Sequence, residues 1–221
     1  MTLKLYFAPG ACSFVPHTLL ETAGEPFEPV MVKLHKGENN SPEYKAINPR
    51  SQVPVLVDGD EVITQIVAVV SWLDDRYPQC NFLPREPLAR IRVLETLAWM
   101  NNTVHPTFTH VFMPYKFAAT PEAQADIKAF NAKLYGTMLG ELDAMARKAA
   151  HEGKPYLAGE HFGPLDAYAL TLLRWGGFAG YDPQGFASLW ALVQRIAVLP
   201  AVARAIERER LHLNVYKPPA Q

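Results

Sequence analysis

Residues 3–17 read LKLYFAPGACSFVPH, and this stretch decides how the first part of the chain folds. Leu3–Phe7 alternates apolar and polar residues and predicts a strand, which the turn residues Ala8-Pro9-Gly10 end. Ser13–Ala23 predicts a helix that stops at Gly24, because glycine commonly ends helices. The order is a strand followed directly by a helix, with Cys12 at the N-terminal end of that helix.

The alternation of strands and helices continues to about Pro78. Asp58-Gly59-Asp60 is a strong signal for a tight hairpin between two short strands. After the hairpin, apolar residues at helical spacing predict a helix that ends before Pro78. The further elements predicted in this part are strand Pro29–Leu34, helix Pro42–Ile47, strands Val55–Val57 and Glu61–Thr64, and helix Gln65–Tyr77.

From Leu88 onward the sequence shows only helical periodicity, and the proline-rich segment before it predicts a linker. The predicted helices are Arg90–Val104, Ala123–His151, Pro164–Phe178, Phe186–Ile196 and Ala201–Arg210. The fold class is therefore α/β plus all-α. We predict an α/β domain over residues 1–78, a linker over 79–87 and an all-helical C-terminal domain over 88–221.

Composition narrows the class of protein. The chain has 221 residues and a formal net charge of -1, which gives no basic surface for nucleic acid or an anionic membrane. It has no apolar run long enough to span a bilayer, and its N-terminus does not resemble a signal peptide. We therefore expect a soluble, cytoplasmic protein. Its two cysteines, Cys12 and Cys80, form neither a CxxC motif nor a zinc pattern, and the histidines form no metal site with carboxylates.

Cys12 has three possible roles: a buried packing residue, a redox centre or a contact for a thiol ligand. A helix N-terminus lowers the pKa of a cysteine thiol, so we expect a lowered pKa here. Valine stands where a dithiol motif would have its second cysteine, which excludes dithiol exchange and leaves a monothiol role open. Buried cysteines are commonly inert, so packing alone also remains open.

A second motif, NPRSQVPVL at residues 48–56, places Pro54 at the start of a strand. Most X-Pro bonds are trans, so the sequence alone does not establish the isomer. If the Val53-Pro54 bond is cis, the backbone groups of Val53 turn outward, where an extended peptide-like ligand can pair with them.

Together these motifs resemble those of a bacterial glutathione S-transferase of the beta class, and the similarity runs nearly the whole length. The helical half adds AWMNNTVHPTF and YLAGEHFGPLDAYALTLLRW. The matching positions in the first half are Tyr6, Pro9-Gly10-Ala11-Cys12-Ser13, Ser41-Pro42-Glu43-Tyr44, Asn48-Pro49, Gln52-Val53-Pro54, Leu56 and Asp58-Gly59.

This resemblance implies a thioredoxin-like domain, a helical domain, a homodimer and a glutathione site at the domain junction. Cys12 matches the cysteine that contacts the glutathione sulfur or forms a mixed disulfide with it. Within Gln52-Val53-Pro54, Val53 matches the residue whose backbone pairs with the cysteinyl part of glutathione, and its bond to Pro54 is expected to be cis.

The sequence departs from the family at Gln65-Ile66, where members usually have glutamate followed by serine, glycine or asparagine. Gln65 can still accept a hydrogen bond from the ligand ammonium but carries no charge, and Ile66 keeps its backbone N–H at the helix N-terminus. The missing hydroxyl costs about 0.5–1.5 kcal/mol. We therefore expect weaker glutathione binding, not its loss. Thr64 either supplies a hydroxyl or caps the helix.

Four further residues are candidates for the site, each with a structural alternative. His105 resembles the family histidine that reaches the ligand, or it ends a helix before Pro106 and bonds its last carbonyls. Asn101 lies one turn earlier on the same face. Lys36 lies near where the family places a basic residue for the glycyl carboxylate, or it is a solvated loop residue. Tyr6 is expected to pack and to have only a secondary role in binding.

The resemblance implies an enzyme that conjugates or transfers the glutathione thiolate to a hydrophobic electrophile, with glutathione as co-substrate and no metal. The alternative is a non-catalytic binding or regulatory module of the same fold, which Gln65-Ile66 favours. Asp166 is expected to be structural. Aromatic residues of the helical half could hold the electrophile or could equally form core: Trp99, Phe108, Phe112, Tyr115 and Phe117.

Overall fold

The structure is a computed structural model, and it describes residues 3–218. The chain folds into two compact units. The first consists of the chain up to Arg90 together with Ala197–Leu211, and the second of Ile91–Ile196 together with the chain from His212 onward. A C-terminal segment thus packs with the N-terminal part of the sequence. The domain boundaries at residues 78 and 88 remain a prediction.

A four-stranded mixed sheet forms the centre of the first unit, in the order β2-β1-β3-β4. The strand β1 runs parallel to β2, while β3 is antiparallel to both β1 and β4. The alternation predicted for β1 is present, because its first, third and fifth residues are buried and the two between them are half-buried. The strands are β1 Leu3–Phe7, β2 Phe27–Met31, β3 Val55–Asp58 and β4 Glu61–Thr64.

Helices make up most of the remaining secondary structure of residues 3–218. Their bounds are α1 Phe14–Ala23, α2 Pro42–Ile47, α3 Ile66–Arg76, α4 Pro87–Trp99, α5 His105–Phe112, α6 Pro121–His151, α7 Pro164–Gly176, α8 Ala187–Ala197 and α9 Pro200–Glu209. The predictions for β1, α2 and β4 are confirmed at both ends, and the fold class is confirmed. Among residues 3–218, no single helix is long and apolar enough to cross a membrane. Helices α8 and α9 meet the criteria of length and apolar composition only together, as a bent pair.

The second strand was predicted too late in the sequence. It lies at Phe27–Met31, not at Pro29–Leu34. Strand β1 sets this register, because Leu3 pairs with Phe27 and Phe7 with Met31, and no further β1 residue follows to pair with later positions. Leu34 instead begins a short 3-10 turn.

The prediction that a helix ends at Val104 is also wrong. Helix α4 begins at Pro87, passes through a π-helical turn at Met100–Val104 and continues into α5. Pro106 lacks an N–H, and the π-helical turn directly before it accommodates this break in the helical hydrogen-bond series. His105 therefore lies where the π-helical turn passes into α5, and not at the end of a helix.

Asp166 makes structural bonds at the start of α7. Its carboxylate accepts hydrogen bonds from the backbone N–H groups of Leu157, at 2.9 Å, and Gly163, at 3.0 Å. Burial raises the pKa of Asp166 to about 7. Both bonds tie the preceding loop to the helix, which agrees with the structural role expected for this residue.

Candidate active site

The turn between β1 and α1 is closed by its own hydrogen bonds. Ala11 N–H donates to the Ala8 carbonyl at 3.0 Å, and the Ser13 hydroxyl accepts from Ala8 N–H at 3.1 Å while it donates to Ala8 O at 3.3 Å. Gly10 has φ +68°, a conformation that residues with a Cβ adopt only at a cost. The turn therefore holds Cys12 in a defined place just before α1.

Cys12 is buried, with 8% of its surface exposed, and its Sγ lies 3.5 Å from the carbonyl oxygen of Val53. Burial raises the pKa of the Cys12 thiol to about 12. The N–H groups of Cys12 and Ser13 lower this pKa, as a helix N-terminus should, but they do not offset burial, and the charge of Glu209 raises it further. The expectation of a lowered pKa is wrong. Cys12 is a protonated thiol that donates a hydrogen bond.

Glu209, the last residue of α9, contacts this turn from the far end of the sequence. Its Oε2 accepts from Gly10 N–H at 2.7 Å, and its Oε1 lies 2.7 Å from Nδ1 of His17. Sequence reasoning missed Glu209. The signal was its position on the buried stripe of α9, where Val202 and Ala205 precede it by seven and four residues.

The Gln52–Pro54 segment lies beside Cys12, and its Val53-Pro54 bond is cis, as the resemblance implies. The carbonyl of Gln52 accepts two hydrogen bonds, from the hydroxyl of Tyr44 and from Nδ2 of Asn48, each at 2.8 Å. Tyr6 packs edge-on against Tyr44 with ring centroids 5.9 Å apart. The side chains of Tyr44 and Asn48 thus hold the segment whose backbone the sequence predicts to bind the ligand.

Gln65 and Ile66 lie at the N-terminus of α3. Gln65 is exposed and has a positive φ of 71°, whereas the side chain of Ile66 is buried with 3% exposed. Of Ile66, therefore, only the backbone N–H is available to a ligand. Thr64 is not the helix cap, because it belongs to β4 and pairs with Val55, and Gln65 occupies the cap position.

Lys36 lies in the exposed 3-10 turn Leu34–Lys36. In the described part of the chain, the structure brings its side chain into no hydrogen bond or ion pair with the other predicted site residues. That Lys36 binds a carboxylate stays a prediction.

In the second unit, His105 and Asn101 meet at the hydroxyl of Tyr168. Nδ1 of His105 lies 2.8 Å from this hydroxyl, which donates to Oδ1 of Asn101 at 3.3 Å. Asn101 Oδ1 can only accept, so we assign the hydroxyl proton to that contact and Nδ1–H of His105 as the donor to the hydroxyl oxygen. Burial lowers the pKa of His105 to about 4. The ring is thus neutral, and the assignment of the Tyr168 contact places its proton on Nδ1 and leaves Nε2 as the acceptor.

A run of stacked rings extends from His105. Its ring lies 4.7 Å from that of Trp175, which stacks on Phe108 at 4.7 Å. Phe108 in turn stacks on Phe112 at 5.5 Å, and Phe112 contacts Phe178 at 5.6 Å. Phe108 is buried, whereas Phe112 and Phe178 are about half exposed, with 51% and 45% of their surfaces accessible. The stack therefore begins in the core and ends at the surface.

Two residues of the predicted aromatic face belong to this stack, Phe108 and Phe112. Phe117 instead stacks on His110 at 3.9 Å, and Tyr115 is largely exposed. Trp175 and Phe178, which the sequence did not single out, complete the stack. Among residues 3–218, no group of three or more His, Cys, Asp or Glu side chains has the geometry to hold a metal ion.

Comparison with known proteins agrees with this fold. Residues 1–75 match the family model described as glutathione S-transferase, N-terminal domain. Glutathione S-transferase GstA of Escherichia coli O157:H7 is 31% identical over 214 residues, which cover 95% of this chain and 100% of the relative.

Two solved structures match the chain over its length. A sphingomonad glutathione S-transferase complexed with glutathione is 31% identical with a TM-score of 0.79, and the match covers 95% of this chain and 100% of the other. The bacterial beta class enzyme of Sphingomonas chungbukensis is 30% identical with a TM-score of 0.80, at the same coverage. The sheet, the helices and the cis-proline turn beside Cys12 are thus those of a chain that belongs to the glutathione S-transferase family and is similar to its bacterial beta class.

Proposed function

We propose that the protein binds glutathione in its first unit and transfers the glutathione thiolate to a hydrophobic electrophile. The observation that carries this proposal is the pairing of Cys12 with Val53 at the cis Val53-Pro54 bond, in a chain similar along its length to a glutathione complex. An extended peptide can pair with the backbone of Val53 as a strand pairs with a sheet edge. This pairing would bring the ligand sulfur to Cys12.

Cys12 then acts as a hydrogen-bond donor, not as the nucleophile. Its thiol stays protonated at neutral pH because burial raises its pKa to about 12. The S–H group can turn from Val53 O to the glutathione sulfur and stabilise that sulfur as thiolate. The thiolate attacks the electrophilic carbon and forms the new S–C bond, while the bond to the leaving group breaks and, for an aryl halide, halide is released. Catalysis comes chiefly from holding the two reactants together.

The γ-glutamyl end of glutathione is assigned to the start of α3. The carboxylate would accept from Ile66 N–H, which the positive end of this 11-residue helix dipole assists. The amide oxygen of Gln65 would accept from the ligand ammonium. We assign the glycyl carboxylate to Lys36 because its ammonium is exposed on the same unit.

The electrophile is assigned to the aromatic stack of the second unit. Phe112 and Phe178 offer half-exposed ring surface, and offset stacking favours a flat, apolar substrate. His105 and Asn101 belong to the same unit, where Nε2 of His105 can accept a hydrogen bond from a ligand donor. Aryl electrophiles are therefore the substrate class that this surface fits best.

The alternative is a non-catalytic module, and the departure from the family at Gln65-Ile66 favours it. The relatives reported above are named as transferases and do not support this alternative. A measurement of the rate at which glutathione is conjugated distinguishes the enzyme from the non-catalytic module. We expect conjugation of glutathione to an activated aryl halide, followed by absorbance, and a lower rate for Phe112→Ala than for the exposed control Phe130→Ala. Glutathione binding without turnover on any aryl, alkyl or peroxide substrate would favour the module.

Two further features are proposals that rest on the family. We expect a homodimer, which sedimentation velocity would show as a species of twice the chain mass. We also expect the protein to be cytoplasmic, which fractionation of the source cells would test.

A further inference from the structure

The loop between β2 and α2 carries Lys36, and hydrogen bonds of its own close it. Lys36 N–H donates to the Lys33 carbonyl at 2.9 Å, and the carboxylate of Glu38 accepts from Lys33 N–H at 2.8 Å. Asn40 N–H donates to the Gly37 carbonyl at 2.8 Å. The backbone on which Lys36 stands is therefore folded on itself, although the side chain of Lys36 is exposed.

One side chain joins this loop to the turn before the cis proline. Nδ2 of Asn39 donates to the carbonyl oxygen of Ser51 at 2.9 Å, across 12 positions of the sequence. A carbonyl oxygen only accepts, so this contact requires the amide nitrogen of Asn39 to face Ser51. Within residues 3–218, it is the one hydrogen bond that connects residues 33–40 with residues 48–54.

Ser51 has a backbone conformation that needs support. Its φ is +57°, in the left-handed region that residues with a Cβ rarely adopt and keep only where their surroundings hold them. Two bonds hold it, since its N–H donates to the Asn48 carbonyl at 2.9 Å and its carbonyl accepts from Asn39. The next carbonyl, that of Gln52, is held by side chains of α2 and its C-terminal cap. The path of the backbone into Val53 is thus fixed from both elements.

We propose that Asn39 is a positioning residue, whose amide sets the spacing between Lys36 and the backbone of Val53 and so makes the site select a ligand with a glycyl carboxylate. The parts of glutathione assigned to these two residues rest on the proposed function. There, Val53 pairs with the cysteinyl part, and Lys36 binds the carboxylate of the residue that follows it in the tripeptide.

The spacing matters because the ligand is short. One residue of extended peptide spans at most about 3.3–3.6 Å, so a shift of the loop by a fraction of that length would separate Lys36 from the carboxylate. An exposed lysine contributes little binding energy unless its partner is held at the right distance. A hydrogen bond that fixes the loop before the ligand arrives lowers the entropic cost of binding.

The test compares glutathione with γ-glutamylcysteine, which lacks the glycyl residue, by calorimetric titration into the full chain. Asn39→Ala removes the hydrogen bond, and Asn40→Ala is the matched control, because Asn40 is exposed in the same 3-10 turn. We expect Asn39→Ala to weaken glutathione binding about two- to tenfold, as for the loss of one neutral hydrogen bond, and γ-glutamylcysteine binding less than about twofold. Asn40→Ala should change neither Kd.

A second variant tests whether Asn39 acts through the conformation of Ser51. Glycine adopts the left-handed conformation without support, so Ser51→Gly in the Asn39→Ala chain should restore part of the lost affinity for glutathione. No recovery would overturn this step. Equal weakening of both ligands by Asn39→Ala would reduce Asn39 to a structural residue.

Hydrogen exchange of the Ser51 amide, followed by NMR without ligand, separates this inference from the proposed function. We expect exchange about two- to tenfold faster in Asn39→Ala than in the wild type or Asn40→Ala. Unchanged exchange would refute the positioning role of Asn39 whatever binds. Faster exchange in a protein that binds no glutathione would refute the proposed function, and the selectivity with it, but not the support that Asn39 gives to Ser51.

Discussion

The hydroxyl of Tyr168 lies 2.8 Å from Nδ1 of His105, and the direction of that hydrogen bond determines what His105 offers a ligand. With the hydroxyl proton assigned to Asn101, the imidazole supplies the proton of the Tyr168 contact. A neutral ring with its proton on Nδ1 presents Nε2 as an acceptor. His105 is thus suited to a ligand donor such as a thiol or an N–H group.

We predict that long-range proton–nitrogen NMR spectra of the free protein show His105 as the neutral Nδ1–H tautomer. Burial lowers the pKa of His105 to about 4, so the ring should stay neutral as the pH is raised from mildly acidic values. In Tyr168→Phe the tautomer preference should weaken, since the acceptor for Nδ1–H is gone. A predominant Nε2–H tautomer in the wild type would mean that Tyr168 donates to His105 instead.

The two cysteines should differ in reactivity. Burial raises the pKa of Cys12 to about 12, while Cys80 is only half-buried and its pKa is raised by the same cause. Alkylation in mildly alkaline buffer should therefore label Cys80 first, and peptide mass mapping identifies the site. Faster labelling of Cys12 would show that the helix N-terminus outweighs burial.

Restoring a charge at Gln65 should strengthen glutathione binding. In Gln65→Glu the ligand ammonium gains an ionic partner, and an exposed ion pair is worth about 0.2–1 kcal/mol, so the Kd should fall by up to several-fold. Gln65 is exposed, and the exchange should leave the fold intact. Gln79→Glu makes the same chemical change at another exposed position and should leave the Kd unchanged. An equal effect of both variants would remove Gln65 from the site.

Asp166 should contribute to stability through the two N–H groups that it binds. In Asp166→Asn the amide NH2 faces one of these donors, which leaves that donor unsatisfied at a cost of about 1–3 kcal/mol in unfolding free energy. Urea unfolding measures this loss, with the exposed Glu160→Gln as control. A change within a few tenths of a kcal/mol would show that water takes over these bonds.

Burial of Asp166 also sets the pH dependence of stability. Its pKa in the fold is about 7, above its usual value, so the folded state binds the extra proton. The stabilisation from this proton is present at acidic pH and is lost as the pH rises towards 7. The wild type should therefore lose more stability than Asp166→Asn between mildly acidic and neutral pH. Parallel pH profiles would contradict this.

Local patterns were enough to predict much of the fold. The alternation in Leu3–Phe7, the Asp58-Gly59 turn and the apolar spacing of α3 each depend on neighbours in sequence. The position of the second strand, which was predicted too late, depends on its partner strand, because β1 fixes where β2 begins and ends. The helix through Pro106 depends on a π-helical turn that residue spacing does not reveal.

The site residues divide in the same way, into those that local sequence predicts and those that depend on distant contacts. Cys12 and Val53-Pro54 stand in motifs and could be found from the sequence. The raised pKa of Cys12 could not, because burial arises from the packing of the whole unit. Glu209 and Tyr168 reach Gly10 and His105 from distant helices, across 199 and 63 positions. The one indication of such a contact in the local sequence was Glu209, a glutamate on the apolar stripe of α9.

Calorimetric titration of glutathione into the purified protein tests the central claim most directly, with Cys12→Ala measured alongside. We predict a Kd between the micromolar and low millimolar range, weakened several-fold in Cys12→Ala by the loss of the S–H donor. The absence of binding up to ~10 mM, which leaves less than about 2.7 kcal/mol of binding free energy, would contradict the proposed function.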